Sequence, residues 1–127
     1  MEWTNTKAIY LQICDYVYDQ IASDNWNEGE KIVSVREMAL LISVNHNTVQ
    51  RSYGHLQNLK IISSERGTGL FVSPGAKNIV ESIRRSEFRD ATAPEFFRIA
   101  NNLNIDSGEL SQMYRSWQED NREKSGN

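Results

Sequence analysis

The stretch 33-VSVREMALLISVNHNTVQRSYGHL-56 decides the fold. Ser34 is a helix N-cap, and Glu37 three residues later completes a capping box in which each side chain satisfies the other residue's free N–H. Val35, Met38, Ala39 and Ile42 then recur at helical spacing, and the pattern ends near Ser43. Asn45 caps a second helix after a connection of only a few residues. Its buried stripe is Val49, Tyr53, Leu56 and Leu59, which turns His46, Asn47, Gln50, Arg51 and Gly54 elsewhere.

Working outward, residues 8–23 read as an amphipathic helix with Ile9, Ile13, Val17 and Ile21 at i+4 and Tyr10, Cys14 and Tyr18 widening the stripe. On the other side lie two β-prone runs, Ile61-Ile62-Ser63 and Leu70-Phe71-Val72. The glycines of Glu65-Arg66-Gly67-Thr68-Gly69 between them permit the positive φ angles of a hairpin loop. Three helices with a short link before the third, then a hairpin, is the order of a winged helix-turn-helix. It is predicted over residues 1–73 of a chain that is mostly α with a small β-hairpin.

Pro74-Gly75 punctuates the chain, and residues 74–127 read as a short all-helical C-terminal region. Ala76, Ile79, Val80 and Ile83 form one stripe. Thr92 and Glu95 are expected to box a helix start around Pro94, with Phe96, Phe97, Ala100 and Leu103 following. Asp106 and Glu109 are expected to cap a last helix carrying Leu110, Met113, Tyr114 and Trp117, and residues 119–127 to be polar and frayed.

Composition excludes several classes. The chain has 127 residues, 39% hydrophobic and 24% charged, room for one ordinary domain or a small domain with an appendage. No apolar run approaches bilayer length, no signal-peptide pattern opens the chain, and a lone cysteine, Cys14, offers neither a disulfide nor metal spacing. These features point to a cytoplasmic protein without membrane contact, metal or cofactor. A net charge of −3 looks wrong for a nucleic-acid binder, but its distribution corrects that impression. Residues 1–30 hold six acids and one base, whereas residues 31–73 hold five bases (Lys31, Arg36, Arg51, Lys60, Arg66) against Glu37 and Glu65. The positive field is confined to the winged segment, where phosphate neutralisation needs it.

Ile9 to Val72 resembles the DNA-binding domain of the GntR family of transcription regulators. Ile9-Tyr10-Leu11-Gln12-Ile13 is similar to its opening helix motif, Ser34-Val35-Arg36-Glu37-Met38-Ala39 to its most recognisable segment, Val44-Asn45-His46-Asn47-Thr48-Val49-Gln50-Arg51 to its recognition-helix start, and Arg66-Gly67-Thr68-Gly69-Leu70-Phe71-Val72 to its wing. The short helical tail, too small for the ligand-binding domain of the larger subfamilies, resembles the YtrA-type branch, as does Asn-x-Asn-Thr-Val-Gln at 45–50. Two positions depart from the pattern. Val33 stands where a proline is usual, and His46 where many relatives carry arginine or proline. Against arginine, His46 weakens one DNA contact.

The resemblance implies that the third helix enters the major groove of double-stranded DNA. That places His46, Asn47, Thr48 and Gln50 nearest the base edges. Asn and Gln pair bidentately with adenine, and Thr donates, accepts or touches a thymine methyl. Asn45 is foremost a cap. Arg36, otherwise a solvated surface charge, becomes a phosphate or guanine contact. Arg51 either reaches phosphate or pairs with an acid, and Lys31 is a weaker candidate. In the wing, Arg66 reaches along the minor groove, Gly67 lets backbone approach phosphate, and the Thr68 hydroxyl is a phosphate donor. Gly67 and Gly69 are turn formers first.

Large apolar side chains in the tail, Phe96, Phe97, Leu110, Met113, Tyr114 and Trp117, exceed what so short a segment buries alone. A homodimer is the economical account, and it supplies the two half-sites a small recognition helix needs. A repressor on a pseudo-palindromic operator, near a transporter operon, is what the resemblance implies. A small-molecule effector in an apolar pocket between tail and winged domain fits the same frame, although no polar constellation identifies one. The alternative is a winged-helix protein–protein interaction or replication-associated module. An enzyme is not expected, because no nucleophile–base set or metal spacing exists among His46, His55 and Cys14. The chain is also too short for the aminotransferase-like domain some relatives carry.

Overall fold

A computed structural model describes residues 1–125, with side chains to Arg122. Helices α1 (Ile9–Ala22), α2 (Val35–Ile42) and α3 (His46–Asn58) precede strands β1 (Ile62–Glu65) and β2 (Gly69–Val72). Then come α4 (Ala76–Glu87), a π-helical turn (Phe88–Thr92), α5 (Ala93–Asn102) and α6 (Ser107–Ser125). Two compact units result, Met1–Arg84 and Arg85–Asn127.

In the first unit α1 turns Ile13, Cys14, Val17, Tyr18 and Ile21 inward, against Met38 of α2 and Val49, Tyr53 and Leu56 of α3. Ile9, at the start of the expected stripe, is 40% exposed and stands outside this core. The Ser34–Glu37 box forms in both directions, at 3.1 and 3.3 Å. Asn45 caps α3 by accepting from the Asn47 N–H at 2.7 Å. Between α2 and α3, Ser43 reverses the chain at φ 54, a left-handed conformation glycine would adopt at lower cost. The Tyr53 hydroxyl donates to the Val33 carbonyl, so the residue standing in the usual proline place helps seat α3.

β1 and β2 pair antiparallel, Ile62 opposite Val72 and Glu65 opposite Gly69, which is the expected hairpin. A third edge was not legible in the sequence. Lys31 bridges Phe71, the Ile32 N–H donates to the Leu70 carbonyl, and Val72 donates to Glu30. Only one residue of this edge is bridged, too few to leave an alternating pattern.

The unit also extends past the expected boundary at residue 73. Ala76 and Val80 are buried in its core because α4 docks on α1, and Lys77–Asp24 and Arg84–Asp19 pairs flank that docking at 2.7 and 2.6 Å. Such exposed pairs add little stability, but they neutralise part of the acidic α1.

The second unit departs from expectation at Thr92. This residue is helical (φ −69, ψ −49) and caps nothing, while Glu95 pairs with Arg98 at 2.6 Å. Pro94 lacks an N–H and its ring crowds the carbonyl four residues back, and the wider π-helical turn just before it accommodates both. No capping box is needed because the chain is already helical there. Asp106 does cap α6, accepting from the Glu109 N–H at 2.9 Å. That helix runs on to Ser125 where fraying was expected, and residues 126 and 127 lie outside the described residues.

Gly54 has no structural reason to be glycine: it is mid-helix, and an added Cβ would meet nothing within 4 Å. Gly54→Ala is therefore expected to stabilise the fold by about 0.5–1 kcal/mol, seen as a higher urea midpoint at unchanged slope. A lower midpoint would mean that α3 is strained there.

Candidate nucleic-acid interface

At 100° per residue, the buried side of α3 (Val49, Ser52, Tyr53, Leu56) leaves Asn47, Gln50, Arg51 and Gly54 on the opposite side. His46, Asn47 and Gln50 are exposed, and among the described residues the His46 and Gln50 side chains have no hydrogen-bond partner. Thr48 is half-buried on the flank between the two faces. The helix N-terminus adds the positive end of the macrodipole, although its Asn47, Thr48 and Val49 N–H groups are already bonded to Asn45.

What seats this helix is a polar clasp on α1. The Ser52 hydroxyl, fully buried, donates to the Tyr10 carbonyl at 2.7 Å and lies 3.1 Å from that of Thr48. Cys14 meets the Ser52 carbonyl from the same helix at 3.7 Å. Burial, helped by nearby Asp15, pushes the Cys14 thiol up to about 12, so it stays protonated and acts as a core side chain. Among the described residues no cluster of three His, Cys, Asp or Glu could hold a metal.

Charge pairing distinguishes this region from most of the chain, Arg115 of α6 being another base whose bond goes to a carbonyl, that of Ser111. Ion pairs among the described residues engage Lys7, Lys77, Arg84, Arg89 and Arg98. They engage none of Lys31, Arg36, Arg51, Lys60 or Arg66, all five bases of the 31–73 segment. Arg36 sits in the first turn of α2, exposed and free of acids. Arg51 neither pairs with an acid nor hangs free: its guanidinium stacks on the Tyr10 ring, 3.8 Å from the centroid.

The wing tip turns at Arg66-Gly67-Thr68. Gly67 has φ 80 with open space around its Cα, so backbone conformation alone calls for glycine. The Thr68 hydroxyl donates to the Glu65 carbonyl at 3.1 Å and braces the turn. Lys31 gains importance over its sequence reading. Its side chain reaches the tip end of the wing, with Cε 2.8 Å from where a Gly69 Cβ would sit, and so adds a cation beside Arg66's turn.

The family model for bacterial regulatory proteins of the gntR family matches residues 9–72. The chain belongs to the GntR family. Its N-terminal side carries the family's DNA-binding winged helix-turn-helix. The GntR chain is 38% identical over 80 residues to YhcF, an HTH-type transcriptional regulator of Bacillus subtilis, spanning 63% of this chain and 66% of that one. It is also 38% identical over 73 residues to the HTH-type transcriptional repressor YtrA of the same organism, covering 58% and 56%. This chain therefore spans somewhat less than two thirds of either relative. A crystal structure of a GntR-family regulator from Bacteroides thetaiotaomicron superposes with a TM-score of 0.79 at 39% identity, over 90% of this chain and 99% of that one. No helix among the described residues is long and apolar enough to cross a membrane.

Proposed function

We propose that this GntR regulator is a cytoplasmic repressor that binds a pseudo-palindromic operator as a homodimer, at a promoter serving a transporter operon as its YtrA-type resemblance implies. The observation that carries the DNA-reading surface is the set of five bases left without acids, beside an α3 whose outward face is Asn47, Gln50 and Arg51. Cations kept free of acidic partners remain available to displace counterions from phosphates. His46, Asn47, Thr48 and Gln50 then meet base edges. Arg36, Arg51, Arg66 and Lys31 meet phosphate or guanine, and the Gly67–Thr68 turn brings backbone to the strand.

The homodimer rests on the second unit. Its only buried apolar residues among those described are Ala93 and Ala100, while Phe96, Phe97, Met113, Tyr114 and Trp117 are at least half exposed. Leu110 is half-buried, and Leu103 joins the exposed set together with Phe88 and Ile99, which the sequence did not single out. A helical unit with two alanines for a core does not stand alone, and a second copy of the same unit covers it by two-fold symmetry. Paired recognition helices then address half-sites about one helical turn apart, roughly 34 Å.

The test is fluorescence anisotropy against the chain's own upstream promoter and a shuffled control, titrated over salt, with transcription from that promoter assayed in vitro. Promoter-selective binding with a steep salt slope and reduced transcription is expected. Equal binding to both duplexes would overturn the operator, and raised transcription the repressor. Arg36→Ala should cost about 1–3 kcal/mol of promoter binding, on the order of tenfold to a hundredfold. An unchanged titration would remove Arg36 from the interface.

A further inference from the structure

We propose that Tyr10 is a positioning residue for DNA binding, its ring holding the Arg51 guanidinium ready at the flank of α3 for a backbone phosphate. The inference rests on Arg51 being a DNA contact. Tyr10 stands on α1, which the winged helix-turn-helix uses as a support and not as a reading element. Three contacts fix it there. The Ser52 hydroxyl holds its carbonyl at 2.7 Å, the His55 ring forms a T-shaped pair with it at 6.3 Å and 86°, and the Arg51 guanidinium covers its face at 3.8 Å. Tyr10 itself is only half-buried, so the stack lies at the surface and not in the core.

Stacking on a ring differs in kind from pairing with an acid. A carboxylate would occupy the donors of the guanidinium and cancel its charge. A ring attracts the cation through its π-face and leaves the in-plane N–H donors free for a phosphate. Arg51 is thus ordered before DNA arrives while keeping both charge and hydrogen bonds available. A free arginine loses side-chain freedom on binding, and a pre-stacked one has already lost much of it. Tyr10 therefore raises affinity without a DNA contact of its own.

The test is a double-mutant cycle on the full chain, read by anisotropy on the promoter duplex and, at low salt, on an unrelated duplex where phosphate contacts still act. The variants are Tyr10→Phe, Tyr10→Leu, Arg51→Ala and the Tyr10→Leu/Arg51→Ala pair, each with its thermal midpoint measured. Tyr10→Phe, which keeps the ring, should bind like the parent. Tyr10→Leu keeps apolar bulk and should weaken binding about three- to tenfold when Arg51 is present. In the Arg51→Ala background it should have no further effect. Equal weakening in both backgrounds, or loss with Phe as large as with Leu, would overturn the positioning role. Parental binding by Arg51→Ala would instead show that Arg51 is no DNA contact, and the role of Tyr10 would fall with it.

Discussion

Replacing Tyr114 and Trp117 together by glutamate should convert the protein to a monomer and lower its affinity for promoter DNA by roughly 10²–10⁴-fold. Both side chains are 61% exposed within the single chain and stack on each other with planes 10° apart, so their removal takes little from the fold of one protomer. Their burial in a dimer is a different matter. Each large apolar side chain taken out of water is worth about 1.5–3 kcal/mol, and an unpaired carboxylate in its place opposes association outright. Once the dimer is lost, the second half-site no longer benefits from the high effective concentration the first one provides, and avidity of that order disappears. Light scattering after size exclusion reads the assembly, and anisotropy reads the affinity. A variant that stays dimeric would place the two-fold interface elsewhere. A monomer that binds DNA as tightly as the parent would show that one winged domain suffices.

Leu56→Ala should lower folding stability by about 2–5 kcal/mol, a large fraction of the roughly 5–15 kcal/mol typical of a domain. Leu56 is 0% exposed and lies on the buried side of α3, in the same cluster as Ile13, Met38, Tyr53 and Ile61. Truncation removes its transfer free energy and leaves a void that helices clasped at Ser52 cannot close. Chemical denaturation should show a lower midpoint at nearly constant slope. A change below about 1 kcal/mol would mean that the site collapses and that the core is less close-packed than its burial indicates. The contrast with Gly54→Ala is instructive. Two positions apart on one helix, one substitution by alanine creates a void and the other removes backbone freedom from the unfolded chain, so the signs are opposite.

The parts of the site legible in the sequence are those made by neighbours along the chain. Ser34 and Glu37, three apart, satisfy each other's N–H groups; Asn45 reaches Asn47; Gly67 supplies a positive φ inside a hairpin of four-residue strands. The same local logic misled at Thr92 and Glu95. Their spacing matches a capping box, but a box forms only where a helix begins, and α4 and the π-helical turn have already supplied helical backbone there. At Thr68 the structure adds a local bond that spacing did not suggest, from its hydroxyl to the Glu65 carbonyl.

By itself the sequence determined the family, the order of helices and hairpin, the caps at Ser34, Asn45 and Asp106, and which side of α3 is apolar, because each rests on local spacing or on a period of 3.6 or 2. Only the tertiary structure decided that Arg51 stacks on Tyr10, that Lys31 crosses the wing at Gly69, that the core reaches into α4, and which aromatic side chains are left uncovered. Those contacts join residues remote in the chain. They depend on how helices and strands pack, and packing geometry leaves no periodic trace in the residues it brings together.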